Sequence, residues 1–158
     1  MKLTQYTRNF SYGGTAAIVT NMSLIVGFDT AAMTKATILT GLLVVAIADN
    51  LTDSLSIHLY QESERLESRI AFHATLSNFA TRLGLSFSLV VLVLLLPPSA
   101  AVITSIVWGL SLLSVLTYMI ARDHGRSPIP EIAKHLLTTL VVILISKAIA
   151  YFIVAWVH

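Results

Sequence analysis

Asp49 and Asp53 lie one helical turn apart inside Ala36–Tyr60, a stretch otherwise apolar enough to cross a membrane. A carboxylate at bilayer depth costs about 2.5–3.5 kcal/mol even on insertion-based scales. Two of them, with Asn50 between, read as an ion or proton site within a helical bundle. Residues three and four apart share a helix face, so Asp49, Asp53, Ser56, Tyr60, Glu64 and Glu67 form one stripe of oxygen groups. Two adjacent carboxylates in a poor dielectric do not both ionise easily. They share a proton, hold a cation or pair with a base. Oxygen ligands suit Mg²⁺, Mn²⁺ or Fe²⁺. Asn50 and Asn21 add neutral oxygens, and Glu64 and Glu67 gather cations at the mouth of the site by local negative potential.

Lys147 lies in the middle of another apolar run, LISKAIAY. An ammonium there should face the bundle interior and a carboxylate, which makes it the expected counter-charge to the Asp pair. Two readings stay open: a fixed Lys–Asp pair that sets helix packing, or a tethered cation that competes with a visiting one. The five histidines show no metal-ligand spacing within a span. Neither a phosphate-binding Gly-rich loop nor a nucleophile constellation is present, so no enzyme is expected.

These residues need a scaffold, and composition says which. The chain has 158 residues, 56% hydrophobic and 11% charged, with mean hydropathy +0.81. Soluble domains carry about 25% charged residues, so this is an integral membrane protein, a single membrane domain over 1–158 with the lipid bilayer as first partner. Net charge is +2 with no basic tract, which excludes nucleic acid as a partner. Cysteine is absent, which removes disulfides and thiolate metal sites. Met1–Tyr12 is too polar for a signal peptide.

Apolar runs near the ~20 residues a bilayer requires give five spans, about 14–28, 36–60, 76–96, 100–121 and 136–157. The fold class is therefore an all-α, five-transmembrane-helix bundle. The first span carries Thr15, Thr20, Asn21 and Ser23, so it should face protein. Pro97-Pro98 stops the third, and Gln61–Thr75, free of Pro and Gly, should prolong helix two. Lys2, Arg8, Arg65, Arg69, Arg82, Arg122, Arg126 and Lys134 fall on or near one side and Lys35 on the other. The positive-inside rule then puts the N-terminus in the cytoplasm and the C-terminus opposite. Trp156 sits where an interface anchor belongs, and Trp108, near mid-span, is expected in packing. Ala80, Gly84 and Ser88 form a small-residue row that permits close helix approach, within the bundle or between subunits.

Ala48–Glu64, ADNLTDSLSIHLYQESE, resembles the second-helix signature of the vacuolar iron transporter family (Ccc1-like, nodulin-21-like), where A-D-G-x-S-M leads to Y-L-x-x-K-S-E. Asp49 matches the Asp, and Ser63-Glu64 match the closing S-E. Ala16–Gly27 resembles the family's D-G-x-V-T-x-x-x-x-V-x-G in Val19-Thr20, Val26 and Gly27, with Ala16-Ala17 in place of D-G. Asp53 stands where the family has Met, and the family's cytoplasmic metal-binding insertion shrinks to about fifteen residues. The resemblance implies a homodimer in a cell membrane or vacuole-like organelle membrane, with helices one and two lining a path for Fe²⁺ or Mn²⁺ exchanged against protons, as cargo rather than as a permanently bound cofactor. From the residues themselves, a rival expectation is a non-transporting accessory subunit of a larger membrane complex, since the chain is small and its loops are minimal.

Overall fold

The computed structural model describes residues 3–63 and 68–157. They form five helices: α1 (Leu3–Thr30), α2 (Lys35–Ser63), α3 (Ser68–Leu95), α4 (Pro98–Asp123) and α5 (Pro128–Val157). Four carry segments long and apolar enough to cross a membrane: Lys35–Tyr60, Thr75–Leu95, Pro98–Asp123 and Pro128–Val157. The expected all-α polytopic architecture is present. α1, the most polar-studded of the expected spans, is not among the four; it is the axis around which they pack.

Local chemistry sets the helix ends. α1 closes with Met33 N–H on Phe28 O and Ala32 N–H on Asp29 O, and Ala32 takes a left-handed φ of 54°. Glycine usually fills that position; Ala accepts the strain to satisfy two otherwise unpaired carbonyls. α3 stops at Leu95, before extended Pro97, and Pro98 opens α4 where its missing N–H costs nothing. Lys35, at the start of α2, donates Nζ to Leu94 O (2.7 Å) and Leu96 O (3.1 Å). It thereby fastens α2 to the carbonyl-rich end of α3.

Helix two does not run on through residue 75 as expected. α2 ends at Ser63, and Ser68 onward belongs to α3. The polar contacts between α2 and α3 described below, together with the Lys35 clamp, require α3 to reverse direction and lie along α2; a continuous helix would carry it away.

The outer helices pack in sequence order, α2 on α3, α3 on α4 and α4 on α5, and all four touch α1. No substantial packing joins α5 to α2 among the described residues, so the outer helices form an open arc. Ile18, Met22 and Ile25 of α1 meet Leu42, Leu89, Leu113 and Ile143 in the core. Gly109 lets α4 approach α1 closely, because a Cβ there would overlap the Met22 side chain. The row Ala80, Gly84, Ser88 is not buried in the bundle: nothing lies within 4 Å of where a Gly84 Cβ would stand. Trp108 is exposed rather than packed in the core, with its indole N–H on Ser88 Oγ at 3.1 Å. Trp156 is 88% exposed near the end of α5.

Candidate ion site between α2 and α3

The buried seam of α2 reads Ile38, Leu42, Ala46, Asn50, Ser54, one residue per turn. Its apolar half packs like any core helix, and its polar half needs partners, since a polar group removed from water must be hydrogen-bonded. α3 supplies a matching row, Asn78, Arg82 and Ser86, also one residue per turn and all buried. The two rows meet at Arg82.

The Arg82 guanidinium is 3% exposed and occupied on every side. Nη2 donates to Asp49 Oδ2 at 2.6 Å, and Nη1 pairs with Asp53 Oδ2 at 3.0 Å. Nε donates to Asn50 Oδ1 at 2.8 Å, and Nη1 also reaches Gly13 O of α1 at 3.2 Å. One side chain thus ties three helices together. Gly13 has to be small here, because a Cβ would collide with the Asn78 amide and the Arg82 stem. Asn78 donates Nδ2 to Asp53 Oδ2 at 3.4 Å, and Asn50 donates Nδ2 to Ala46 O at 2.5 Å.

The carboxylates differ from the guanidinium in one respect. Asp49 keeps 47% of its side chain uncovered by protein and Asp53 33%. Each uses Oδ2 on Arg82 and has its outer side free of the bundle. With both acids ionised the cluster carries two negative charges and one positive, a net −1.

Arg82 therefore takes the counter-charge role expected of Lys147. Lys147 follows buried Ile143 by one turn, yet its side chain is exposed, and no ion pair among the described residues reaches it. The physical reason is polar company. Arg82 lies four residues from Asn78 and four from Ser86, both buried and polar; the corresponding neighbours of Lys147 are Ile143 and Tyr151. Arg82 belongs inside the bundle, not with the loop arginines.

The other expected ligands disperse. Asn50 has spent its Oδ1 on Arg82. Asn21 sits further along α1, donating Nδ2 to Ala17 O and to Ser86 Oγ (3.0 Å), joined to neither Asp. Its Oδ1, like Asn78 Oδ1 and Ser54 Oγ, is buried with no protein partner, which is how groups that bind ordered water are placed. Further down the stripe, Ser56 turns its hydroxyl back to Thr52 O, and Tyr60 is exposed. Glu64 and Glu67 lie outside the described residues. Among the described residues no three His, Asp or Glu side chains gather closely enough to hold a metal. No family model matches the chain, and the comparisons with curated proteins and with solved structures gave no match.

Proposed function

We propose that the chain is a membrane transporter of cations in which Asp49 and Asp53 form the acidic pair and Arg82 is a tethered internal cation. The observation that carries this is the asymmetry of the cluster: a guanidinium sealed in protein, facing two carboxylates whose outer sides are open. A visiting cation meets those outer oxygens and competes with Arg82 for them; when it leaves, Arg82 re-forms both pairs. In a medium of low dielectric this avoids leaving two bare carboxylates in the empty state. The resemblance in the first two helices supports a divalent cargo of the Fe²⁺ or Mn²⁺ type with proton coupling. A second copy closing over the open α2 edge would cover the carboxylates from lipid, and the homodimer belongs to this proposal.

The test is flux into proteoliposomes. Asp53→Asn abolishes Mn²⁺ or Fe²⁺ uptake while the protein keeps its helical circular dichroism. Unchanged uptake by Asp53→Asn removes the assignment.

One observation favours a second reading, the accessory subunit. Both Asp residues already hold charged hydrogen bonds to a buried Arg, which suffices to lock α2 to α3 with no ion involved. A stoichiometric partner retained through mild purification, with no flux by the isolated chain, selects that reading.

A further inference from the structure

A second polar cluster lies where α4 turns into α5. Its geometry begins with the turn. His124 caps α4, Gly125 takes φ +65°, Gly125 N–H bonds Arg122 O and Arg126 N–H bonds Ala121 O. This is the Schellman pattern of two closing hydrogen bonds. It folds the chain back so that the Arg126 backbone is fixed over Ala121. Beneath it is a cavity of about 120 Å³ lined by Thr117, Ile120, Ala121, His124, Arg126, Glu131 and His135. That is room for roughly four waters, or one tetrahedral oxyanion.

The wall offers donors. Thr117 is buried, and its Oγ1 lies 3.1 Å from His135 Nδ1. With the hydroxyl donating to Nδ1, the imidazole carries its proton on Nε2 and has that donor to offer. His124 is held by Nδ1 on Ile120 O at 2.9 Å. Arg126 reaches Glu131 at 3.7 Å, a loose pair whose guanidinium is 68% exposed. Exposed pairs of this kind contribute little. A phosphate oxygen offers the guanidinium a shorter, bidentate partner.

Position adds to chemistry. The cavity lies at the adjoining ends of Pro98–Asp123 and Pro128–Val157, the two most apolar of the four candidate spans. The junction of a span and its loop is where lipid phosphates sit, and basic pockets between helices at that level bind phospholipid headgroups.

We propose that the α4–α5 turn binds a phosphate group, with Arg126 and His135 as its donors. The group belongs to an anionic phospholipid or to free phosphate, and the experiment separates the two. The full chain in maltoside micelles is titrated with phosphatidylglycerol, with phosphatidylcholine and with inorganic phosphate. Bound lipid is counted by native mass spectrometry, and phosphate binding is followed by ³¹P line broadening. One saturable site is expected, weakened about tenfold or more by Arg126→Ala and by His135→Ala, given what one charge-assisted contact contributes. Lys134→Ala removes an exposed cation that does not line the cavity, and leaves binding unchanged. Saturable phosphatidylglycerol that millimolar phosphate does not displace assigns a lipid; saturation by phosphate alone assigns the free ion. Absence of saturable binding by any of the probes overturns the proposal. So does an equal loss in Lys134→Ala and Arg126→Ala, which is diffuse surface charge. Melting temperatures of the three variants show whether each is folded, and an unfolded His135→Ala is replaced by His135→Gln, which keeps a donor and should retain part of the affinity.

Discussion

α1 and α5 invert the rule that holds in water. α1 carries Thr15, Thr20, Asn21 and Ser23 among its apolar residues, yet Gly13, Gly14, Ala17, Ile18, Asn21, Met22, Ser23, Ile25 and Val26 are all buried. α5 has the highest mean hydropathy of the four candidate spans, 2.4, and only 6% of its most apolar stretch is buried. A soluble bundle would place them the other way round. Lipid tails are as apolar as leucine, so an apolar helix gains nothing by hiding from them. A polar helix gains partners by moving to the centre. In this chain the apolar α5 lies mostly uncovered and α1, with its buried Asn21 and Ser23, lies at the centre; exposed Lys147 on α5 and exposed Thr20 on α1 are the departures from that division.

The sharpest way to break that comparison is to remove the polar clasp at the centre. Arg82→Leu leaves Asp49, Asp53, Asn50 Oδ1 and Gly13 O without their shared donor. Losing one partner of a buried ion pair costs about 3–5 kcal/mol, and the half-uncovered carboxylates put this case at the lower end. Thermal unfolding in detergent should show a large fall in midpoint. Adding Asp49→Asn and Asp53→Asn to Arg82→Leu should recover most of it, because the stranded charge is then gone. A fall that the added substitutions do not reverse would mean that Arg82 acts through packing of its stem rather than through charge.

Next in size is a steric change at the same axis. Gly109→Ala drives a methyl group into Met22. Met is adaptable, so the helices separate slightly instead of failing, at about 1–3 kcal/mol as for other overpacked cores. The equivalent change at Gly84, which has nothing within 4 Å, should be silent. Equal effects at the two glycines would mean that α3's outer row is covered by another subunit.

How much of this was legible in the sequence follows the same division. Helix number and type came from runs of apolar residues, which lipid contact selects directly. The inward position of α1 is signalled by Asn21 and Ser23, which are buried, whereas Thr20 is exposed. The reversal between α2 and α3 was expected, but too late in the chain, because residues 61–75 hold neither Pro nor Gly; Ser68 onward already belongs to α3, which pairs with distant residues of α2. The site was half legible. Asp49 and Asp53 stood out because each is costly alone. Their partner did not, because Arg82 and Lys147 are equally costly and only the company four residues away separates them. Asn78 and Ser86 beside Arg82 match Asn50 and Ser54 on α2, and the pairing of two polar rows, not any single residue, was the usable signal. Asn21's place on Ser86, away from the acids, depends on how α1 sits against α3, and no local pattern encodes that.

The smallest expected effect is on the lipid side and completes the contrast. Leu144 is 63% exposed on α5. In a soluble protein, truncating a large core residue costs about 2–5 kcal/mol through lost transfer energy and a cavity. Here neither loss arises. The side chain touches acyl chains whether α5 is docked or apart, so the transfer contribution cancels, and lipid fills the space that the alanine leaves. Leu144→Ala should therefore change the thermal midpoint in detergent by no more than the scatter between preparations, equivalent to about 0.5 kcal/mol for a surface site. A loss of several times that size would show that protein, not lipid, covers this face of α5, and the opposition between the central and the peripheral helix would then hold only for the isolated subunit.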